Sequence, residues 1–267
     1  MTSVLRTHRL TSIHWFAQAL RFSVILLAPG ASHAGFSPIP LTAQSHNHDL
    51  VVERTAPAPL GLATTASVDG GLGNTGYSWF ESGYNASWPA TGLPAAGSSI
   101  VSELATDHEY GLAPDYRTNN GVLIDSVVTR AELTLASPVR LVGISFLLSG
   151  AHDGGWGAIA CGIHHEDGTV ETNSIRCYDW VDNTRPYAYT ANGRVNVGMF
   201  SFANINGNLP KLYSADVSLT NNASLVTGVE LWYVSGTGHS VVMAVSGAAA
   251  APGPFSPLAV SGYNADV

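Results

Sequence analysis

Charged residues are scarce in this 267-residue chain. They make up 11% of it, against roughly 25% in an average globular protein, and Lys211 is the single lysine. Acidic residues outnumber basic ones by 19 to 11, so the formal net charge is −8. This acidic balance removes the electrostatic basis for nucleic-acid binding, and we expect no nucleic-acid partner. Hydrophobic residues still make up 45% of the chain, which excludes global disorder.

Recognisable catalytic motifs are also absent. The chain has no Gly-x-Ser-x-Gly turn, no His-Glu-x-x-His zinc motif, no phosphate-binding loop and no dinucleotide-binding glycine pattern. We therefore predict a protein without enzymatic activity. A weaker alternative is a glycan-active hydrolase, or an accessory domain of one, with dispersed carboxylates. Local spacing cannot reveal carboxylates that meet across strands.

The N-terminus has the pattern of an export signal. Arg6, Arg9 and Arg21 precede an apolar run over residues 22–27, and Ser32-His33-Ala34 places small residues where a signal peptidase cleaves. The run is too short to span a bilayer; the alternative is an interfacial or buried helix. Cleavage after residue 34 removes three arginines and no acid, which changes the net charge from −8 to about −11. We expect a secreted or cell-surface protein, periplasmic or extracellular, with no membrane span after signal removal.

The remaining sequence is typical of short strands separated by turns. Residues 130–135 alternate apolar and polar side chains, which predicts a half-buried strand, and residues 140–148 predict a more buried one. Residues 156–165 and 170–178 flank an Asp-Gly pair, a strong hairpin signal. Few strong helix formers and 28 glycines argue against a helical bundle. We predict an all-β fold, an antiparallel β-sandwich of the jelly-roll type.

The two cysteines lie in the two strands of the predicted hairpin. A three-residue turn would pair His165 with Thr169, and therefore Cys161 with Asn173 and not with Cys177. That register leaves the two sulfurs beyond bonding distance. An exported protein can nevertheless form disulfides, and a bulge or a different pairing would allow one. The sequence leaves the disulfide open.

A segment near the N-terminus is repeated at the C-terminus. Residues 36–50 begin Phe-Ser-Pro-Ile, and residues 255–267 begin Phe-Ser-Pro-Leu and share a later Asn-x-Asp. We divide the chain into a signal peptide (1–34), a β-sandwich domain (35–247), an Ala- and Pro-rich linker (248–254) and the start of a second, truncated repeat (255–267). This predicts a unit of a tandem array; the alternative is a chance match.

Two clusters of aromatic and polar residues are candidate ligand-binding sites. Aromatic rings stack on the C–H faces of sugars, while amides and guanidinium groups bond to hydroxyls. The predicted binding residues are Tyr84, Asn85, Trp88, Tyr178, Trp180 and Arg185. The alternative is that the large aromatic side chains belong to the core.

A glycine-rich stretch before the first cluster is a candidate calcium site. Asp69 and Asn74 lie in it and could bind a structural Ca²⁺ through carboxylate and carbonyl oxygens. The spaced acids of a known calcium loop are missing. We predict no other cofactor.

Several segments together resemble galactose-binding-like β-sandwich modules of secreted bacterial proteins. The segments are Thr91–Pro94, Asn119–Ile124, Leu133–Ala136, Val142–Leu147, Asp179–Trp180, Leu212–Leu219 and Val241–Gly247. The resemblance implies a jelly-roll sandwich, carried beside glycan-active enzymes or in large surface proteins and without catalytic activity. We therefore predict a non-catalytic module that binds polysaccharide or a cell-surface glycan. The alternative is a structural or adhesive surface-protein repeat without a small-molecule ligand.

Overall fold

The structure, a computed structural model, describes residues 35–54, 64–84, 91–153, 155–199, 201–203 and 209–250. The predicted signal peptide, most of the linker, the second copy of the repeat, Asn85 and Trp88 lie outside these residues. In the described part of the chain, no helix is long and apolar enough to cross a membrane.

In the first half of the chain, the described residues form one 3₁₀ turn and six short strands. The turn spans Ala43–Ser45, and the strands are β1 (Phe36–Pro38), β2 (Val51–Val52), β3 (Tyr77–Phe80), β4 (Ser99–Val101), β5 (Glu109–Gly111) and β6 (Val122–Ile124).

In the second half, the part of the chain that the structure describes forms seven strands of eight or more residues and three short ones. They are β7 (Arg130–Val139), β8 (Leu141–Ala151), β9 (Trp156–His165), β10 (Val170–Tyr178), β11 (Tyr189–Thr190), β12 (Arg194–Asn196), β13 (Ser201–Ala203), β14 (Lys211–Ser218), β15 (Val226–Ser235) and β16 (His239–Ala249).

Two antiparallel sheets form the sandwich. The inner sheet has the order β1-β16-β8-β14-β11, with β6 also paired to β16, and the outer sheet has the order β10-β9-β15-β7. A smaller sheet, β13-β12-β3-β2, and the β4-β5 hairpin pack beside them. The predicted all-β antiparallel sandwich is confirmed.

The inner sheet is buried on both of its faces. Ile144 and Phe146 of β8 belong to a core cluster shared with the outer sheet, whereas Leu147 belongs to a second cluster shared with the segments that precede β6. The outer sheet is less covered, because exposed residues recur along β7 and β10 while its inner strand β9 is mostly buried. The sequence-based assignment of a half-buried strand at residues 130–135 and a more buried one at 140–148 is therefore confirmed.

The hairpin register agrees with the sequence prediction. Cys161 pairs with Asn173, Cys177 pairs with Gly157, and the amide of His165 donates to the carbonyl of Thr169. Both cysteines are free and buried. The Cys177 thiol instead donates to the carbonyl of Ser149, with Sγ and O 2.8 Å apart, and so joins the outer sheet to the inner one.

Candidate functional site

A polar cleft lies where β8 ends and β16 begins. His239, the first residue of β16, pairs there with Ala151, the last residue of β8. The loop before β3, the loop after β10 and the start of β12 complete the walls. The cleft has a volume of about 410 Å³ and is lined by Asp69, Ala151, Asp153, Asp179, Trp180, Val181, Arg194, Thr237, Gly238 and His239. We call it the Asp69 cleft.

The Asp69 carboxylate organises one wall of this cleft. The indole Nε1 of Trp180 donates to Asp69 Oδ1 at 3.0 Å, and Arg194 Nη1 donates to Asp69 Oδ2 at 3.2 Å. The amide of Tyr77 also donates to Oδ2, at 3.3 Å. Burial raises the pKa of Asp69, although Arg194 and these donors oppose the shift. The carboxylate therefore holds three parts of the chain together.

Arg194 is fixed between aromatic rings as well as by its ion pair. Its guanidinium carbon lies 4.0 Å from the ring centroid of Tyr77 and 5.2 Å from that of Trp180. A guanidinium held over aromatic faces and against a carboxylate loses little further freedom when it binds a ligand. Arg194 is a preorganised hydrogen-bond donor.

The opposite wall carries a histidine that is paired with an aspartate. His239 Nδ1 lies 2.8 Å from Asp125 Oδ2. Burial of Asp125 favours a higher pKa, but the amides of Val128 and Val127 and the imidazole of His239 donate to it and lower the pKa overall. A Cβ on Gly71 would lie 2.4 Å from the His239 ring, so the glycine lets this ring pack against the backbone.

A second histidine, His152, is buried behind the cleft and surrounded by glycines. A Cβ added to any of four glycines would lie close to the nearest atom of the His152 ring. The distances are 2.6 Å for Gly150, 2.4 Å for Gly157, 3.4 Å for Gly236 and 3.3 Å for Gly238. We call these four residues the glycine cage.

Two polar contacts hold His152 within the cage. Its Nε2 lies 3.3 Å from Ser240 Oγ, and its amide donates to Asp179 Oδ2 at 2.9 Å. Burial lowers the pKa of His152, which favours the neutral imidazole. Among the residues that the structure describes, Nδ1 has no hydrogen-bond partner.

The cleft therefore offers groups of both charge signs together with neutral donors and acceptors. Asp153 and Thr237 are exposed at its rim, while Asp179 is buried and accepts backbone amides at both carboxylate oxygens. Small-molecule sites are typically clefts of about 300–1,000 Å³ with a few fixed polar groups. This arrangement can hydrogen-bond a small polar ligand with several hydroxyl groups.

The structure joins two regions that the sequence treated separately. Trp180, predicted to bind ligand, and Asp69, predicted to bind calcium, are hydrogen-bonded although they are 111 positions apart. Trp180 is 1% exposed, so its indole is a supporting group and its ring face is unavailable for stacking on a sugar.

The other predicted binding residues lie outside the cleft lining. Tyr178 is half-buried, with its ring 5.7 Å from that of Tyr213 and the Arg185 guanidinium 5.1 Å from its centroid. Tyr84 is half-buried and packs against a small core cluster around Phe80. Asn85 and Trp88 fall outside the described residues.

The calcium site stays a prediction. The oxygens of Asp69 are occupied by donors, and the Asn74 side chain binds Thr64, with Oδ1 2.8 Å from the Thr64 hydroxyl and Nδ2 2.7 Å from its carbonyl. No group of three or more His, Cys, Asp or Glu side chains with metal-binding geometry occurs within the described ranges.

Sequence reasoning did not select Arg194 or His239. Each is an isolated residue in a glycine-containing loop, Asn-Gly-Arg and Gly-Thr-Gly-His. Glycine-containing loops of this kind are often turns without a functional side chain. The glycines were the available signal, because they permit the close approach of backbone to side chain seen at His239.

Comparison with known proteins gives one weak structural likeness and no family. No protein-family model matches the chain, and no curated protein does. Among solved structures it is similar to a catalytic domain of a GH87 alpha-1,3-glucanase variant in complex with tetrasaccharides, with a TM-score of 0.32 and 15% identity. The match covers 52% of this chain and 23% of that one. At this TM-score the likeness carries no argument about substrate or reaction.

The prediction of a protein without enzymatic activity is corrected by this comparison. The matching solved structure is itself a catalytic domain, the opposite of what the missing motifs predicted. The prediction rested on missing local motifs, and the Asp69 cleft shows why that reasoning was insufficient. Its carboxylates come from distant parts of the sequence, where no short motif can register them.

Proposed function

We propose that the Asp69 cleft binds a carbohydrate and that the chain is an exported glycan-binding domain. The observation that carries the proposal is Arg194, held by Asp69 and two aromatic rings at the edge of a cleft about 410 Å³ in volume. Fixed donors and acceptors of both signs suit a neutral ligand with many hydroxyls. The resemblance to galactose-binding-like modules leads to the same ligand class.

The rim residue Asp153 provides a test that spares the fold. Asp153 is exposed and has a φ of 52°, a backbone conformation that Asn tolerates. On an array of neutral glycans, the full chain is expected to bind at least one glycan, and Asp153→Asn to weaken that binding about tenfold.

The matched control is Asp115→Asn, a half-buried aspartate whose ion-pair partner is Arg117, away from the cleft. It should bind like the wild type. A folded chain that binds no glycan on the array would instead support the structural or adhesive surface repeat.

Glycoside hydrolysis is a second candidate function for the same cleft. Asp69, Asp153 and Asp179 all line it, and glycosidases act through pairs of carboxyl groups. Burial raises the pKa of Asp69, as a general acid requires. The test is release of reducing sugar from a bound glycan: Asp69→Asn should lower kcat more than it raises KM. Wild-type activity should decline as pH rises through the pKa of Asp69, because a general acid must be protonated.

A further inference from the structure

The outer sheet presents a second, separate surface of exposed side chains. On β9 the outward positions are Ala158, Ala160 and Gly162, all small, between taller side chains on β10 and β15. Trp232 of β15 lies across this low row. A Cβ on Gly162 would be 3.2 Å from Trp232 Cζ3, so the indole packs directly on the glycine backbone.

A second tryptophan lies on the same face, toward the other end of β9. Trp156 is 46% exposed, and the guanidinium carbon of Arg176 is 4.5 Å from its ring centroid. Trp232 pairs with Ala160, which is four residues along β9 from Trp156. Four residues of an extended strand span about 13 Å, so the two tryptophans are too far apart to act on one small ring.

A polar depression of about 290 Å³ continues the same line. It surrounds His164, a further four residues along β9, and its other polar lining residues include Glu132, Thr134, Thr227 and Glu230. Trp156, the Trp232 ring over Gly162 and this depression therefore follow one another along β9.

The carboxylates in the depression come from two neighbouring strands of the outer sheet, β7 and β15. Glu132 and Glu230 are directly opposite across β7 and β15. Arg130 Nη2 is 2.8 Å from Glu230 Oε1, and His164 Nε2 is 3.9 Å from its Oε2. Within the described residues the side chain of Glu132, which is exposed on β7, makes no hydrogen bond or ion pair, and this leaves its carboxylate available to a ligand.

We propose that this outer face binds an extended, neutral saccharide chain of several sugar units. The two indoles offer planes for the C–H faces of sugars, and the carboxylates, threonines and His164 offer partners for hydroxyls. Two arginines balance two glutamates along the face, so it does not favour a polyanion. The proposal is independent of the Asp69 cleft, because the two surfaces share no lining residue.

The experiment compares chain length and site. Calorimetric titration of the full chain with neutral cello-, laminari- and xylo-oligosaccharides, as disaccharides and hexasaccharides, should show that a hexasaccharide binds about tenfold or more tighter than its disaccharide. Trp156→Ala and Trp232→Ala should each weaken hexasaccharide binding about tenfold. The control variant Asp115→Asn, which lies on neither surface, should leave hexasaccharide binding unchanged. A loss confined to the tryptophan variants separates this proposal from the cleft's function.

Trp156→Phe tests whether an aromatic plane is what matters, and it should retain part of the affinity. Bound hexasaccharide should also protect wild-type tryptophan fluorescence from acrylamide quenching, and the protection should shrink in Trp156→Phe. The proposal would be overturned if the chain bound none of the neutral hexasaccharides, or if both alanine variants, with native circular dichroism, bound a hexasaccharide as tightly as the wild type. It would also be overturned if the chain bound polygalacturonate more tightly than the neutral hexasaccharides, or if it formed a dimer that Trp232→Ala dissociates.

Discussion

The central strands of the inner and outer sheets are similar in length but differ in how much of each strand is buried. In β8 nine of the eleven residues are buried, whereas in β7 buried and exposed positions alternate over residues 132–136. A strand covered on both sides must satisfy its polar groups within the protein, while an outward face can leave them to solvent or a ligand. A polar side chain in the inner sheet therefore bonds to other groups of the protein, whereas one on the exposed face of the outer sheet is open to solvent or a ligand.

The same contrast separates the two proposed binding surfaces. The Asp69 cleft lies at the end of the inner sheet, and its groups come from loops that are distant in sequence and bonded to one another. The outer face is formed by regular strand alternation, and several of its side chains are exposed. Substitutions should therefore act on stability at the first surface and mainly on binding at the second.

The largest expected difference in stability is between alanine substitutions at two glycines, one next to each sheet. A Cβ on Gly238, in the glycine cage beside the inner sheet, would lie 1.6 Å from the carbonyl oxygen of Ala151. Gly238→Ala should therefore destabilise the fold by about 3 kcal/mol or more. At the outer-sheet hairpin, Gly168 has a φ of 83° and open space around it, so Gly168→Ala should cost about 1 kcal/mol. Urea denaturation measures both; equal losses would contradict the contrast.

The next difference is between two arginines that each stack on an aromatic ring. Arg194→Met leaves the Asp69 carboxylate without its ion-pair partner, with an expected loss of about 3 kcal/mol. Arg176→Met removes a guanidinium that lies over the Trp156 ring on the exposed outer face, with an expected loss below about 1 kcal/mol. Thermal and chemical unfolding of the two variants would measure this, and a stable Arg194→Met protein would show that the pair is dispensable.

Much of the sandwich was predictable because its strands carry local patterns. The alternation at residues 130–135 and the Asp-Gly turn set burial and register within a few residues, and the Cys161–Asn173 pairing followed by counting. The Asp69 cleft was only partly predictable. Asp69 and Trp180 were selected on composition, but their hydrogen bond depends on how distant loops meet. Trp156 was missed as an exposed residue because hydrophobicity alone does not say which face of a strand is covered.

A third contrast is between two aspartates whose pKa shifts have opposite signs. Burial raises the pKa of Asp49, below the inner sheet, to about 7. Its protonated form is the one that folding favours, so this contribution is complete below about pH 4 and is lost as pH rises through 7. The slope should be at most about 1.4 kcal/mol per pH unit. Asp49→Asn should flatten the decline, as measured by unfolding at pH 5 to 8; an unchanged slope would contradict the assignment.

Asp167, in the outer-sheet hairpin, should behave in the opposite way. Hydrogen bonds from the Thr169 hydroxyl and amide and from Asn221 lower the pKa of Asp167 to about 2. Its contribution is present above the unfolded value near 4 and is lost as pH falls through 2. Asp167→Asn should therefore lower stability at pH 7 and bring it closer to the wild type below pH 2. A variant that is equally stable at pH 7 would argue against the hydrogen bonds.

The smallest expected effect concerns the cysteines between the sheets. Burial raises the pKa of Cys161 to about 11 and that of Cys177 to about 12. Since both are free, a reductant should leave Tm unchanged, and iodoacetamide at pH 8 should label neither thiol until the chain is unfolded. A fall in Tm with reductant would reveal a disulfide and a different register.

The glycine cage also determines how the specificity of the cleft can change. At Gly150, Gly157 and Gly238 an added methyl group would lie 2.6 Å or less from the His152 ring or the backbone. Gly236 has a φ of 141°, a conformation that residues with a Cβ rarely adopt. Saturation mutagenesis should consequently recover almost nothing but glycine at these positions. The exposed rim residue Thr237 should accept many side chains, and Asp153, with a φ of 52°, should accept Asn or Gly most readily. New ligand preferences, whether evolved or engineered, would then arise by substitution of rim residues, while the glycine cage around His152 stays the same.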